Sequence, residues 1–204
     1  HVMARRQRQM CIRDRVESAK IMKDQMAYGL SRKRITISTS GITPQIDKLS
    51  QSIDVSLAIS LHAPINKLRD EIVPINKKYP IRELIRSCKD YLSYYEGKRN
   101  ITIEYVLIDG VNDSPELARK LTKLLSDISC KINLIPFNPF DGSNYKRSNK
   151  NNINEFKNIL MKKGFITTLR ITRGDAIDGA CGQLVGKLSK SVKGKKLISH
   201  QSIS

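Results

Sequence analysis

ITIEYVLIDGVNDSPELARKLTKLLSDISCKINLI, residues 101–135, decides the fold. Residues 101–108 read as a strand, dense in β-branched and apolar side chains. Residues 115–125 read as a helix, with Ser114 in the capping position and Pro115 at the first helical residue. Residues 131–135, KINLI, read as a second strand. A strand, a helix and a strand joined this tightly imply a parallel pair with the helix packed across it. The pattern continues on both sides. Downstream lie a helix over 151–163 closed by Gly164 and a strand over 166–171. Upstream, a helix over 81–95 puts Ile81, Leu84, Ile85, Cys88, Tyr91 and Leu92 on one face. Two strands precede it, VSLAIS at 55–60 and RITIST at 34–39, and a helix is predicted over 16–33 with Gly29 as its stop. Five strands are too few to close an eight-stranded α/β barrel. They fit an open α/β sheet or a piece of a larger barrel. No repeat of fixed period is present.

The composition narrows the function. The 204 residues suit one domain, and 39% hydrophobic residues supply its core. No apolar run approaches the roughly 20 residues that cross a bilayer. The N-terminal stretch lacks the apolar centre of a secretory signal, so a cytoplasmic protein is expected. The formal net charge is +18, from 37 Lys and Arg against 19 Asp and Glu. Such an excess favours a polyanion, RNA or DNA, through counterion release, although a solvated basic surface has the same composition. Aromatic residues make up only 5% and Trp is absent, so no stacking platform is evident. The four cysteines, Cys11, Cys88, Cys130 and Cys181, form no Cys-x-x-Cys pair. A zinc ribbon, a local iron–sulfur motif and a disulfide framework are therefore not expected.

Ligands of parallel α/β folds bind at the C-terminal strand ends. Here those ends are rich in Ser, Asn, Asp and Gly: Ser38 to Gly41, Ser60 to Pro64, Asp109 to Asp113, Pro136 to Phe140, and the segment from Arg173 to Gln183. Together they suit one shared pocket. His62 could be a catalyst or a satisfied structural histidine. Glu104 and Asp109 lie five apart on one strand, which points them to opposite faces and discounts an acid–base pair. Cys181 stands in a polar, glycine-rich loop where a thiol is reachable, whereas Cys88 and Cys130 read as small buried hydrophobes. Residues 1–15 show no periodicity, resemble a translated sequencing adapter and are set aside as non-native. Residues 187–204 read as a basic tail.

Six stretches carry a resemblance. They are RITISTSG (34–41), LAISLHAP (57–64), RDEIVPINKK (69–78), IEYVLIDGV (103–111), CKINLIPFNPF (130–140) and TRGDAIDGACGQL (172–184). In this order and at this length, they make residues 29–187 resemble the RlmN/Cfr-type radical S-adenosylmethionine (SAM) RNA methyltransferases, the RlmN branch more closely. The resemblance implies a partial (β/α)6 radical SAM barrel, of which residues 16–186 would be the C-terminal part, without its N-terminal strands. It implies SAM and a 4Fe–4S cluster as cofactors, and methylation of an adenine at C2 in 23S rRNA and in tRNA. Ser38, Ser60, Leu61, His62 and Asn138 would contact SAM. Cys181 would be the thiol that is methylated before RNA is, one SAM giving it the methyl group and a second furnishing the radical that activates that group. An external electron donor and a monomeric state are further expectations.

The sequence departs from the family pattern in one respect that bears on activity. The Cys-x-x-x-Cys-x-x-Cys cluster motif and the Gly-Met-Gly-Glu-Pro stretch are absent from these residues, so no metal ligand is assigned. The chain as given is expected to be inactive by itself and to fold marginally, with the strand at 34–39 an exposed edge. Two other readings compete: a catalytically dead remnant that binds SAM or RNA, and a Cfr-like enzyme that methylates C8.

Overall fold

In the computed structural model, residues 12–95, 99–140 and 142–170 are described. Within them the chain runs α1 (Ile12–Lys23), β1 (Thr36–Thr39), α2 (Thr43–Ser52), β2 (Ser56–Ser60), α3 (Asn66–Ile72), α4 (Ile81–Tyr94), β3 (Ile101–Leu107), α5 (Pro115–Leu124), β4 (Cys130–Pro136), α6 (Lys150–Lys162) and β5 (Ile166–Leu169). The five strands form one sheet in the order β1-β2-β3-β4-β5, every pair parallel. The expected α/β partial barrel is what the chain builds. A sequential order also has a consequence. Right-handed crossovers that always step in one direction place their helices on one face of the sheet. The other face is left for a ligand.

Strand alternation separates the two faces. Ile37, Leu57, Ile59, Ile101, Ile103, Tyr105, Leu107, Ile132 and Leu134 are buried beneath the helices. Between them, Ser38, Ser60, Glu104, Asn133 and Thr168 are only partly covered or exposed. The helices start where their capping residues stand. Leu117 N–H donates to Ser114 Oγ at 3.3 Å, and Asn152 N–H donates to Asn149 Oδ1 at 2.8 Å.

Three helices differ from expectation. α1 begins at Ile12, inside the stretch set aside as non-native, and ends at Lys23 rather than near residue 33. Asp24 ends it: its Oδ1 accepts the Met26 N–H at 2.9 Å, and its carbonyl accepts the Gly29 N–H at 2.8 Å, closing a turn in place of a further helical one. α2 and α3 have no counterpart in the hydrophobic pattern. Thr43 and Ser50 supply half of the buried positions of α2, and the one buried residue of α3 is Arg69. Of the remaining segments set apart above, residues 1–11 and the tail at 187–204 lie outside the described residues.

Arg69 is fully buried, and among the described residues no carboxylate is bonded to it. Its Nε donates to the Leu61 carbonyl at 3.0 Å. Its Nη2 donates to the carbonyls of Ser40 at 2.6 Å and Ser60 at 3.2 Å, and its Nη1 to Asn76 Oδ1 at 2.8 Å. One guanidinium thus ties the C-terminal end of β1 to that of β2. Asn76 passes the restraint on, donating to Asp70 Oδ1 at 2.6 Å and to Asn66 Oδ1 at 3.2 Å; that Asn66 oxygen also accepts the first N–H of α4, from Ile81. Gly41 is part of the same arrangement. A Cβ there would stand 3.2 Å from Arg69 Nη2 and 3.1 Å from Leu84 Cδ2, at a φ of +106°.

Arg69→Ala removes four hydrogen bonds and strands buried carbonyls, so a loss of about 3 kcal/mol or more in unfolding free energy is expected. Urea denaturation checks this; a midpoint unchanged from wild type would show that the clasp does not hold the strand ends.

Candidate active site at the open face of the sheet

The strand register assembles a polar row. Ser60 lies opposite Glu104, Glu104 opposite Asn133, and Asn133 opposite Thr168. Ser60 Oγ donates to Glu104 Oε2 at 3.3 Å, and Thr168 Oγ1 donates to Asn133 Oδ1 at 3.1 Å. Four neighbouring strands therefore each present one hydrogen-bonding side chain to the helix-free face. Asp109 is exposed beyond the strand end, away from this row. Ser38 stands on the same face of the edge strand, opposite Ala58, and its carbonyl accepts a hydrogen bond from Arg15 Nη1 at 3.1 Å.

His62, two residues past β2, has a left-handed conformation, φ +60°, the one non-glycine residue with positive φ among the described residues. That conformation is costly away from glycine and persists where surrounding contacts hold it. Here two do. Val106 N–H donates to His62 Nδ1 at 3.1 Å, and Asn112 Nδ2 donates to the His62 carbonyl at 2.9 Å. Asn112 is itself buried; it also donates to the Val106 carbonyl at 2.7 Å and accepts from Ile108 N–H at 2.8 Å. A ring whose Nδ1 accepts a hydrogen bond carries its proton on Nε2. Burial first, and then the nearby Arg69 charge, hold the His62 pKa down to about 4. The imidazole is therefore a neutral Nε2–H donor throughout the physiological range.

The remaining expected site residues are placed differently. Leu61 offers nothing to the open face: its side chain is in the core, its N–H donates to the Glu104 carbonyl at 3.0 Å, and its own carbonyl is taken by Arg69. Asn138 follows β4 by two residues and is partly buried at the same end of the sheet. Cys181 lies outside the described residues. Cys88 is fully buried and Cys130 partly so; burial pushes their thiols up to about 12 and about 11, which suits packing rather than reactivity. Among the described residues no group of three or more His, Cys, Asp or Glu could hold a metal ion, so they do not fit an iron–sulfur cluster. No helix among them is long and apolar enough to cross a membrane. From the sequence, Glu104 was raised only to discount its pairing with Asp109, Asn133 and Thr168 were not singled out, and Asn112 entered only within the Asp109 to Asp113 strand end. The signal for Glu104 and Asn133 was present, a polar residue at an alternating position within an otherwise apolar strand.

Because the folded His62 pKa lies below its unfolded value, the unfolded chain binds the extra proton first. The contribution of neutral His62 is complete above about pH 6.5 and falls as pH drops toward 4. The difference in unfolding free energy between wild type and His62→Gln should therefore shrink by roughly 2–3 kcal/mol between pH 7 and pH 4. A difference constant across that range would contradict the neutral ring.

No protein-family model matches the chain. Curated relatives do. The dual-specificity RNA methyltransferase RlmN of Pseudomonas putida is 50% identical over 190 residues, which are 93% of this chain and 50% of that protein. The Marinobacter nauticus protein of the same name is 50% identical, with 52% of its length covered. That of Pseudomonas entomophila is 54% identical over 174 residues, 85% of this chain and 46% of the relative. Among solved structures, a radical SAM methyltransferase from Sphaerobacter thermophilus is 44% identical and superposes with a TM-score of 0.76, over 81% of this chain and 48% of the other. A domain of a pyruvate-formate lyase-activating enzyme from Bacteroides vulgatus shares the fold alone, with 16% identity and a TM-score of 0.52. The chain spans about half the length of the curated relatives it matches. With these identities, most of the chain is similar to about half of proteins named dual-specificity RNA methyltransferase RlmN and to about half of a radical SAM methyltransferase of known structure.

Proposed function

We propose that this chain forms the SAM-facing, methyl-carrying part of an enzyme that methylates adenine at C2 in 23S rRNA and in tRNA. The observation that carries the reading is the open polar face ending at His62, in a chain half identical to proteins named RNA methyltransferases. The residues present fit SAM. Glu104 accepts one long hydrogen bond, from Ser60, and keeps acceptor capacity for hydroxyl or ammonium groups. His62 supplies a neutral donor, which a cationic ligand does not repel. SAM bound there supplies a methyl group activated by the sulfonium charge.

The residues of this chain then bind and orient. Ser60 is held by Glu104 with its hydroxyl proton committed, leaving its oxygen lone pairs as acceptors. Leu61 contributes by position: its two backbone groups are fixed to β3 and Arg69, which sets the aim of Ser60 and His62 on either side. Ser38 and Asn138 flank the row from β1 and from beyond β4. Cys181 is the methyl acceptor of this reading, since a thiolate is the side-chain nucleophile suited to displacement at a sulfonium methyl. The 4Fe–4S cluster is assigned to cysteines other than those described, and no step is derived through it. The chain as given transfers no methyl group alone in this reading. The intact enzyme is a cytoplasmic monomer that takes electrons from an external donor.

The test joins residues 16–204 to the N-terminal half of the Pseudomonas putida relative. It is expressed in cells lacking their own enzyme, and nucleosides of 23S rRNA and tRNA are analysed by mass spectrometry. The expected product is 2-methyladenosine, absent when the 204 residues are expressed alone and lost in Cys181→Ala. Appearance of 8-methyladenosine, or full activity of Cys181→Ala, would contradict the assignment.

A further inference from the structure

The chain leaves β4 at Pro136 and returns to the end of β3. There Arg147 bridges Ile108 in antiparallel fashion, and Asp109 N–H donates to the Lys146 carbonyl at 3.0 Å. Three aromatic rings gather between these points. Phe137 is partly buried, its N–H donating to the Leu107 carbonyl at 3.0 Å. Its ring lies 6.2 Å from that of Phe140 and 6.1 Å from that of Tyr145, the latter edge-on at 85°. The outer two rings are left 51% and 42% exposed. Their backbone is held in a turn: Ser143 N–H donates to the Phe140 carbonyl at 2.9 Å, and Tyr145 N–H to Ser143 Oγ at 3.2 Å.

Two exposed rings braced on a third form a fixed apolar lip, and a lip that water does not favour marks a contact site. Lys146, Arg147 and Lys150 are exposed beside it. Flat rings edged with cations suit a nucleobase with its phosphates. The lip also stands at the C-terminal strand ends, next to Asn138 and the open face. The low aromatic content gave no sign of such a platform, because what counts is that Phe137, Phe140 and Tyr145 converge in space.

The geometry points to this lip as a stacking platform for a base of single-stranded RNA at the mouth of the site. The inference rests on the RNA-methyltransferase reading and specifies where that RNA is gripped. RNA is favoured over the adenine of SAM as the occupant, because the cationic rim attracts phosphates and repels a sulfonium.

The test titrates the full 204-residue chain into a short single-stranded RNA carrying 2-aminopurine, whose fluorescence is quenched on stacking. Wild type should bind and quench. Phe140→Ala and Tyr145→Ala should each weaken binding about tenfold and lose the quench. Phe140→Leu, which keeps apolar bulk without a flat ring, should do the same, while Tyr145→Phe should bind as wild type. Lys146→Gln should keep the quench but bind with a shallower salt dependence. RNA binding unaffected by the Ala and Leu variants would overturn the platform and leave the RNA reading standing. Loss of the quench on adding S-adenosylhomocysteine would overturn it in favour of the cofactor's adenine. No RNA binding by wild type would overturn both.

Discussion

A buried guanidinium, to which no carboxylate is bonded among the described residues, joins the ends of β1 and β2. Arg69 replaces its water shell with three main-chain carbonyls and one amide oxygen. Parallel strands end with carbonyls pointing beyond the sheet, and those carbonyls must find donors. Here one side chain satisfies the ends of both β1 and β2 and thereby fixes their relative position. Burial lowers the Arg69 pKa to about 10, which still leaves it charged at neutral pH. The charge has a second effect one residue past the clasp, where it helps to hold His62 neutral. Gly41 follows from the same constraint, since a side chain there would displace either the guanidinium or Leu84.

The two ends of the sheet are built for different purposes. At the N-terminal end, Arg99 pairs with Asp54 and stacks on Tyr95 at 3.5 Å, while Tyr91 and Tyr95 donate to main-chain carbonyls of the segment from Ser50 to Val55. These groups satisfy one another and close that end. At the C-terminal end, Glu104 and His62 are held by neighbours yet keep bonding capacity toward the open face. A strained, left-handed residue is maintained there by Val106 and Asn112 rather than relaxed. α/β barrels divide in this way, with stability at one end and ligand sites at the other.

All five strands could be read from the sequence, because each is a run of β-branched and apolar residues set off by turn residues. Helices α4, α5 and α6 could be read from their apolar faces and caps. α3 could not, because it packs through a cation, and α2 packs half through hydroxyls; hydrophobic periodicity is blind to both. The positions of Ser38, Ser60, His62 and Asn138 could be read as the last residues of strands or the first beyond them, and the structure places them at one end of the sheet or on its open face. Leu61 was reached by the same rule but faces the core. The roles of Arg69 and Asn112 were not reachable: they lie in hydrogen bonds to main-chain carbonyls that only the fold brings within reach, which no spacing records. The Ser60–Glu104–Asn133–Thr168 row depends on strand register, which a single sequence does not specify.

The central claim is that the helix-free face, organised by Arg69 and ending at His62, is where the cofactor binds. Amide chemical-shift mapping of the chain with S-adenosylhomocysteine tests it most directly. The account predicts saturable shifts at Ser38, at Ser60 to Ala63, at Glu104 and Val106, and at Asn138, with the outer helix surface around Arg82 to Lys89 unmoved. Shifts confined to that outer surface, with the strand ends silent, would contradict it.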